Sequence, residues 1–409
     1  MLNFIWLFFF LSAFVTACYK FLIFADHEIF SQIMLAMFTL AKTAFEISLG
    51  LTGVLSLWLG IMKIGERSGF VQLLTNLLNP LFARLLPEIP KNHPALGAIT
   101  MNISANALGL DNAATPLGIK AMKEMQSLNP TPDTASNAQI LFLVINTSAV
   151  TLFPVTIFTY RAQLGAANPT DVFIPILIST YMSTLAGLLA VAVMQKINLL
   201  DKVILSYLGG LSLIIGALVF YFSGLEKEAM LQQSAMISNM VLFSLIIVFL
   251  CGAIYRRIDA YGAFIDGAKE GFQTAVTIIP YLVAMLVAIG VFRASGTLDL
   301  IAQSLRSLVL SLHWDDRFID ALPTALMKPF SGSGARAMMV DTMQAHGADS
   351  FAGRLASIVQ GSTETTFYVL AVYFGSVGIK NIRYAAGCGI IADFAGIMAA
   401  IVVAYWFFG

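Results

Sequence analysis

Two short polar stretches interrupt an apolar chain. "NISANALGLDNAATPLG" (102–118) and "KPFSGSGARAMM" (328–339) place amides, hydroxyls and glycines directly between hydrophobic runs. Such residues can hold a polar solute. In the first stretch Asn102, Ser104, Asn106, Asn112 and Thr115 both donate and accept hydrogen bonds, which suits a neutral or zwitterionic ligand. Asp111 either binds a coupling cation or faces water in a turn. In the second, Ser331 and Ser333 supply hydroxyls, and Gly332 and Gly334 permit close backbone approach. A helix beginning near Gly334 would present free amides and a positive end to an anionic or carbonyl-bearing group. Arg336 would either grip a carboxylate or phosphate, or pair with Asp341; the pair is favoured.

A third set lies in "VINTSAVTLFP" (144–154) and "IVQGSTETTFY" (358–368). Asn146, Thr147, Ser148 and Thr151 in the one, and Gln360, Ser362, Thr363, Glu364, Thr365 and Thr366 in the other, interrupt runs that are otherwise apolar. Helix capping accounts for some of them. An acid at membrane depth is costly and commonly marks an ion, proton or substrate path, which makes Glu364 an ion-coupling candidate. Asp393, in "IIADFAGIMAA", and Thr365 join it, with Asp111, in that set.

Enzyme chemistry is not expected, because no paired carboxylates, nucleophile with base, or metal cluster emerges. Cys18, Cys251 and Cys388, and His27, His93, His313 and His346, are scattered singly, so no metal site or cofactor is predicted beyond a coupling Na+ or H+. "GSGARA" has a GxGxxA shape but lacks the preceding strand that a nucleotide fingerprint requires.

The elements that must position these residues are membrane helices. Of 409 residues 58% are hydrophobic and only 11% charged, and zero net charge leaves no nucleic-acid footprint. Runs near 2–24, 43–64, 138–160, 172–195, 203–222, 239–255, 272–292, 353–374 and 384–408 are long enough to cross a bilayer, about nine in all. The run before Cys18 ends "FVTAC", as a lipoprotein leader would, yet "MLNFIW" carries no Lys or Arg, so it is read as a span.

The chain also repeats itself. "AKTAFEISLG" from Ala41 overlies "AKEGFQTAVT" from Ala268, an offset of 227 that also pairs Ser68-Gly69 with Ser295-Gly296 and Ser104 with Ser331. At an offset of 214 (Phe153 to Phe367), "NTSAVTLFPV" overlies "QGSTETTFYV". Each half reads as two spans, an amphipathic stretch, a broken polar segment and two more spans. The division is 1–198 and 226–409, with a connector helix at 199–225. Four crossings plus one is odd, so the second half is expected to enter the membrane inverted. The expected fold is thus all-α, about nine transmembrane helices in two inverted repeats, each with a re-entrant hairpin and an amphipathic helix. Inverted repeats place substrate near the bilayer midplane, at discontinuous helices. Lys196, Lys202 and Arg256-Arg257, set against the acidic residues Glu226 and Glu228, put the amino terminus inside and the carboxyl terminus outside.

"MKIGERSGF", "HPALGAITMNISANALGLDNAATPLGIKAM" and "INTSAVTLFP" resemble the spore maturation protein A family. "GAKEGFQTAVTIIPYLVAMLVAIGVFRASG", "PFSGSGA", "GRLASIVQGSTETTFYVLAVYFGSVGIK" and "GCGIIADFAGIMAA" resemble spore maturation protein B. The likeness covers nearly the whole chain apart from the connector and looks like a natural fusion of the two. These families belong to a wider nucleoside-recognition, or gate, group that includes the gate domains of ferrous-iron transporters and, more remotely, concentrative nucleoside transporters. The resemblance implies hairpins and interrupted helices around a transported solute, moved by an elevator-like shift, in a bacterial cytoplasmic (inner) membrane. The expected function is a secondary transporter of a small polar solute bound between the two re-entrant hairpins near the bilayer midplane, with nucleosides or small carboxylates as the leading solutes. Iron is disfavoured, since the chain carries neither a GTPase motif nor a His or Cys cluster. The partners implied are a small-molecule solute and the lipid bilayer, and a homo-oligomer is compatible with both. The rival reading is a non-transporting envelope protein that binds a ligand and acts through partners.

Overall fold

The computed structural model describes residues 2–90, 92–148 and 151–409, with the side chains of all of these except 2 and 111–113. Among the described residues there is no β-strand, only one parallel bridge between Thr134 and Asn381. The first half comprises α1 (Leu2–Phe24), α2 (Ile29–Arg67), α3 (Phe70–Leu85), α4 (Pro94–Ala107), α5 (Asp111–Gln126), α6 (Asn137–Thr147), α7 (Val155–Gln163) and α8 (Phe173–Gln195). After α9 (Lys202–Ser223) come α10 (Lys227–Tyr255), α11 (Ala260–Ala294), α12 (Thr297–Ser311) and a 3-10 turn (Arg317–Ala321). The chain ends with α13 (Leu322–Met327), α14 (Gly332–His346), α15 (Phe351–Ser362), α16 (Thr366–Gly375) and α17 (Ala385–Phe408). The order of α1–α8 is repeated in α10–α17: long helix pair, amphipathic helix, hairpin, broken helix, long helix.

Among the described residues seven helices, α1, α2, α8, α9, α10, α11 and α17, are long and apolar enough to cross a bilayer. Their outward faces carry large apolar side chains such as Leu213, Phe220, Phe243 and Ile254, all exposed, a pattern that suits lipid rather than water. The chain is an all-α, multi-pass membrane protein.

The two remaining expected spans, 138–160 and 353–374, are not continuous helices. The first breaks between α6 and α7. Pro154 has no amide to donate and disfavours helical backbone at Phe153. Before it, Thr147 Oγ1 and Ser148 Oγ both bond back to the Val144 carbonyl, at 2.9 and 2.8 Å. The second breaks at 363–365, where Thr365 is extended (φ −85°, ψ 95°).

Local turns repeat as well. Gly69, between α2 and α3, and Gly296, between α11 and α12, both have φ 81°, a conformation that a Cβ would strain. Each sends the chain into a one-sided helix. In α3 Thr75, Phe82 and Leu85 are buried while Leu73 and Leu77 are exposed, and in α12 Thr297 is buried while Leu300, Leu308 and Leu310 are exposed.

The chain forms two compact units, each discontinuous in sequence. The first comprises residues 1–58, 156–169 and 268–360, the second 59–155, 170–267 and 361–409. Each therefore draws segments from both halves of the chain. The second unit is built on the contact of α8 with α17 and packs a core from Phe82, Leu86, Leu96, Met122, Ile140–Ile145, Leu370 and Phe374. In the first unit a smaller core of Ala13, Ala17, Ile29, Ile33 and Val291 joins α1, α2 and α11.

Candidate functional site

In the second unit, the first polar stretch forms a helical hairpin, α4 and α5, with its tip at 108–110. His93 caps α4 by accepting from the Ala95 amide (3.2 Å), and Pro94 follows at the first helical position. Gly109 turns the tip at φ 72°, and a Cβ there would lie 2.9 Å from the Phe153 carbonyl. The tip thus abuts the break after α6. The Leu152 amide donates to the Ala107 carbonyl (3.0 Å), and Asn106 Nδ2 donates to Asn146 Oδ1 (2.8 Å). Asn146 is itself oriented by donating to the Phe142 carbonyl (2.9 Å).

Three sets of contacts hold α6 in place. At its start Ser136 and Gln139 form a reciprocal capping box. Beside it the Lys380 and Asn381 amides donate to the Asp133 carbonyl (2.8 and 2.9 Å), and Arg383 donates to the Ala135 carbonyl and Asn137 (3.0 Å each). At its end, the Glu364 amide donates to the Thr147 carbonyl (2.7 Å), and Thr184 Oγ1 donates to the Ser148 carbonyl. The two helix breaks therefore meet, and an amide at one bonds a carbonyl at the other.

Asn102 is fully buried on α4; its Nδ2 donates to the Ala114 carbonyl (2.7 Å) and to Tyr373 Oη (3.4 Å), while its Oδ1 has no hydrogen-bond partner. Tyr373 packs against bare backbone, since a Cβ on Gly118 would lie 2.4 Å from its Cζ and Oη. Ser104 is buried and accepts from Thr75 Oγ1 (3.4 Å), and Thr115 is half-buried on α5. Asp111 and Asn112 lie outside the residues whose side chains are described.

The ion-coupling candidates fall into different surroundings. Glu364 is held by its backbone and its side chain is exposed. Thr365 is buried at the N-cap of α16 but makes no side-chain cap. Thr363 and Thr366 are buried with hydroxyls that have no partner. Asp393 is 1% exposed on α17, an unusual setting for an acid.

The first unit holds the second polar stretch. Ser331 caps α14 by accepting from the Gly334 amide (3.0 Å), so the helix starts at Gly332, two residues before the expected Gly334. The Ser331 and Ser333 hydroxyls are 3.3 Å apart. Gln360, near the end of α15, is buried with its Oε1 unpartnered. The expected Arg336–Asp341 pair does not form. Five residues along one helix place two side chains about 140° apart, whereas Arg293 of α11 reaches Asp341 and makes the ion pair instead. Arg336 sits over the Tyr160 ring, 5.9 Å from its centroid, a cation–π contact.

Two buried cations were missed from sequence. Lys328, at the tip between α13 and α14, is 2% exposed and donates to the Gln360 carbonyl (2.8 Å), completing the carboxyl end of α15. Its signal was a charge standing directly before Pro-Phe in an apolar run. Arg161 is fully buried and donates to the carbonyls of Pro169 (3.1 Å) and Ala348 (2.8 Å) and to Asp349 (3.2 Å). Nothing in its local sequence marks it.

These features define a class: a membrane protein whose spans are broken at polar hairpins and facing helix ends, with hydrogen-bonding groups held inside. The chain belongs to the gate family, described as nucleoside recognition, which it matches over residues 48–164 and 275–380. It is 46% identical over 162 residues to spore maturation protein B of Bacillus subtilis (strain 168), 40% of this chain and 89% of that protein. It is 44% identical over 154 residues to spore maturation protein A of the same organism, 38% of this chain and 79% of that protein. One polypeptide thus carries likenesses to both, as a fusion would.

Proposed function

We propose that the protein is a transporter, secondary active and not an enzyme, that binds a small polar solute at its broken helices. It resides in a bacterial cytoplasmic membrane with its amino terminus inside and its carboxyl terminus outside. One observation carries this reading: in the second unit a hairpin tip and two helix breaks converge, joined by Asn106–Asn146, Leu152–Ala107 and Glu364–Thr147 hydrogen bonds. Irregular backbone at membrane depth is tolerated only where protein or a wet cavity satisfies it, and solute sites of membrane transporters are built from such discontinuous helices. Amide and hydroxyl groups at Asn102, Asn106, Asn146, Thr363 and Thr366 suit a ligand that both donates and accepts. Nucleosides come first, in keeping with the family description, and small carboxylates second.

A thermal-shift screen of the purified protein against nucleosides, dicarboxylates and amino acids identifies the solute. A ligand at about 100 times its Kd stabilises the folded state by about 2.7 kcal/mol. Uptake of that solute into proteoliposomes then tests translocation. No stabilisation by any solute and no uptake would overturn the proposal. Stabilisation without uptake would favour a ligand-binding membrane protein that acts through partners, the reading nearest to the relatives' names.

A further inference from the structure

In the second unit the end of α10 carries two adjacent arginines, Arg256 and Arg257, both exposed. Bare backbone seats that end against the turn between α2 and α3. A Cβ on Gly65 would lie 2.7 Å from the Phe249 ring, and one on Gly252 would lie 3.1 Å from Ser68 Cβ. The Phe249 and Phe70 rings then meet edge to face, 4.9 Å between centroids. One helical turn after Gly252, the Arg256 guanidinium lies directly over Gly69, where any Cβ would collide with its Cζ and Nη1. Arg257 takes a left-handed conformation (φ 55°) just past the helix, a place where glycine is usual and a side chain is strained.

The acids nearby are engaged elsewhere. Glu66 pairs with Lys63 (3.1 Å), Asp266 pairs with Arg67 (2.7 Å), and Asp259 accepts from the Gly262 amide at the start of α11 (2.9 Å). Among the described residues no acid pairs with Arg256 or Arg257. Lys63, Arg67, Arg256 and Arg257 thus stand against Glu66, Asp259 and Asp266, and the surplus positive charge falls on the exposed pair. The first unit makes the equivalent turn differently. There Lys20 of α1 covers Gly296, and the first turn of α12 adds Asp299, one acid for one cation. The offset of 227 that pairs Gly69 with Gly296 puts Gln72 opposite Asp299, and the first turn of α3 has no acid.

From this arrangement we infer that Arg256 and Arg257 bind the headgroup phosphate of an anionic phospholipid. A guanidinium presents paired N–H donors that match phosphate oxygens. Gly69 lets Arg256 pack flat against backbone, so its donors are placed before the lipid arrives. A lipid fits better than a soluble anion because the pair ends a membrane-crossing helix, directly after Ile254 and Tyr255, which are 77% and 89% exposed. Leu73 and Leu77, exposed on the helix that follows Gly69, give acyl chains further apolar surface. A zwitterionic headgroup would bring its own cation toward two guanidinium groups, so the preference is for net negative charge. The site does not depend on transport.

The test is native mass spectrometry of the full chain released from nanodiscs made of equal parts phosphatidylglycerol and phosphatidylcholine. Wild type should retain phosphatidylglycerol in preference. Arg256→Gln and Arg257→Gln should each lower that preference about five-fold. Gln72→Asp, an exposed change that gives α3 the acid α12 already has, should lower it by a similar factor, and it carries the test if the arginine variants do not fold. Equal retention of the two lipids by wild type would overturn the site, as would an unchanged preference in Gln72→Asp. A thermal shift with inorganic phosphate as large as that with dioctanoyl phosphatidylglycerol would assign the arginines to a soluble anion and overturn the lipid.

Discussion

The hydrogen bond between Asn106 and Asn146 ties the first hairpin's tip to the break after α6, and its strength can be measured. Asn146 is 3% exposed and uses both ends of its amide, accepting from Asn106 at 2.8 Å and donating to the Phe142 carbonyl at 2.9 Å. Asn106→Ala removes one donor from a half-buried position and should cost about 1 kcal/mol. Asn146→Ala removes two bonds and truncates a buried side chain, which should cost about 2 to 3 kcal/mol. Side-chain hydrogen bonds inside membrane proteins average about 0.6 kcal/mol in double-mutant cycles and reach about 1.7. This short bond with an oriented acceptor should lie near 1, so the double variant should be less destabilised than the summed singles by about 1 kcal/mol. Unfolding by SDS in mixed micelles, followed by tryptophan fluorescence, gives all four values. A coupling below about 0.4 kcal/mol, the level at which independent sites already add, would refute the docking of tip on break.

Other substitutions probe neighbouring claims. Gly118→Leu would drive a side chain into the Tyr373 ring and should destabilise by about 1 to 3 kcal/mol. Gly334→Leu meets the flexible end of Met327 first, at 2.4 Å, so thermal shift should show a smaller loss of stability than at Gly118. Arg161→Met strips two backbone carbonyls and Asp349 of a buried donor and should cost about 3 kcal/mol in the same SDS assay. Glu364→Gln should leave stability within about 0.5 kcal/mol, because its side chain is exposed, and should lower the uptake rate if the acid serves the ion path; unchanged uptake would remove it from that path.

Much of this was legible in the sequence because membrane depth makes polar residues conspicuous. The hairpins at 102–118 and 328–339, and the breaks that end α6 at Thr147 and start α16 at Thr366, fall where amides, hydroxyls, glycine and proline interrupt apolar runs. The offset of 227 pairs Gly69 with Gly296, and the structure turns the chain at both, which the offset alone does not say. Partners were harder. Arg336 and Asp341 are close in sequence, but helix geometry turns them apart, and Arg293 could be matched to Asp341 only by the fold. Lys328 and Arg161 are buried by bonds to backbone carbonyls, which leave no complementary side chain to read. The segments of Thr147 and Glu364, matched by the offset of 214, do come together, but the particular bond from the Glu364 amide to the Thr147 carbonyl is set by backbone geometry that side-chain types do not encode.

The most direct measurement is counterflow in proteoliposomes loaded with the stabilising unlabelled solute and diluted into a trace of its radiolabelled form. The account predicts transient accumulation of label above equilibrium in wild-type vesicles, and little in vesicles carrying Asn106→Ala/Asn146→Ala. Label entering no faster than into protein-free vesicles, from folded protein that still binds the solute, would contradict it.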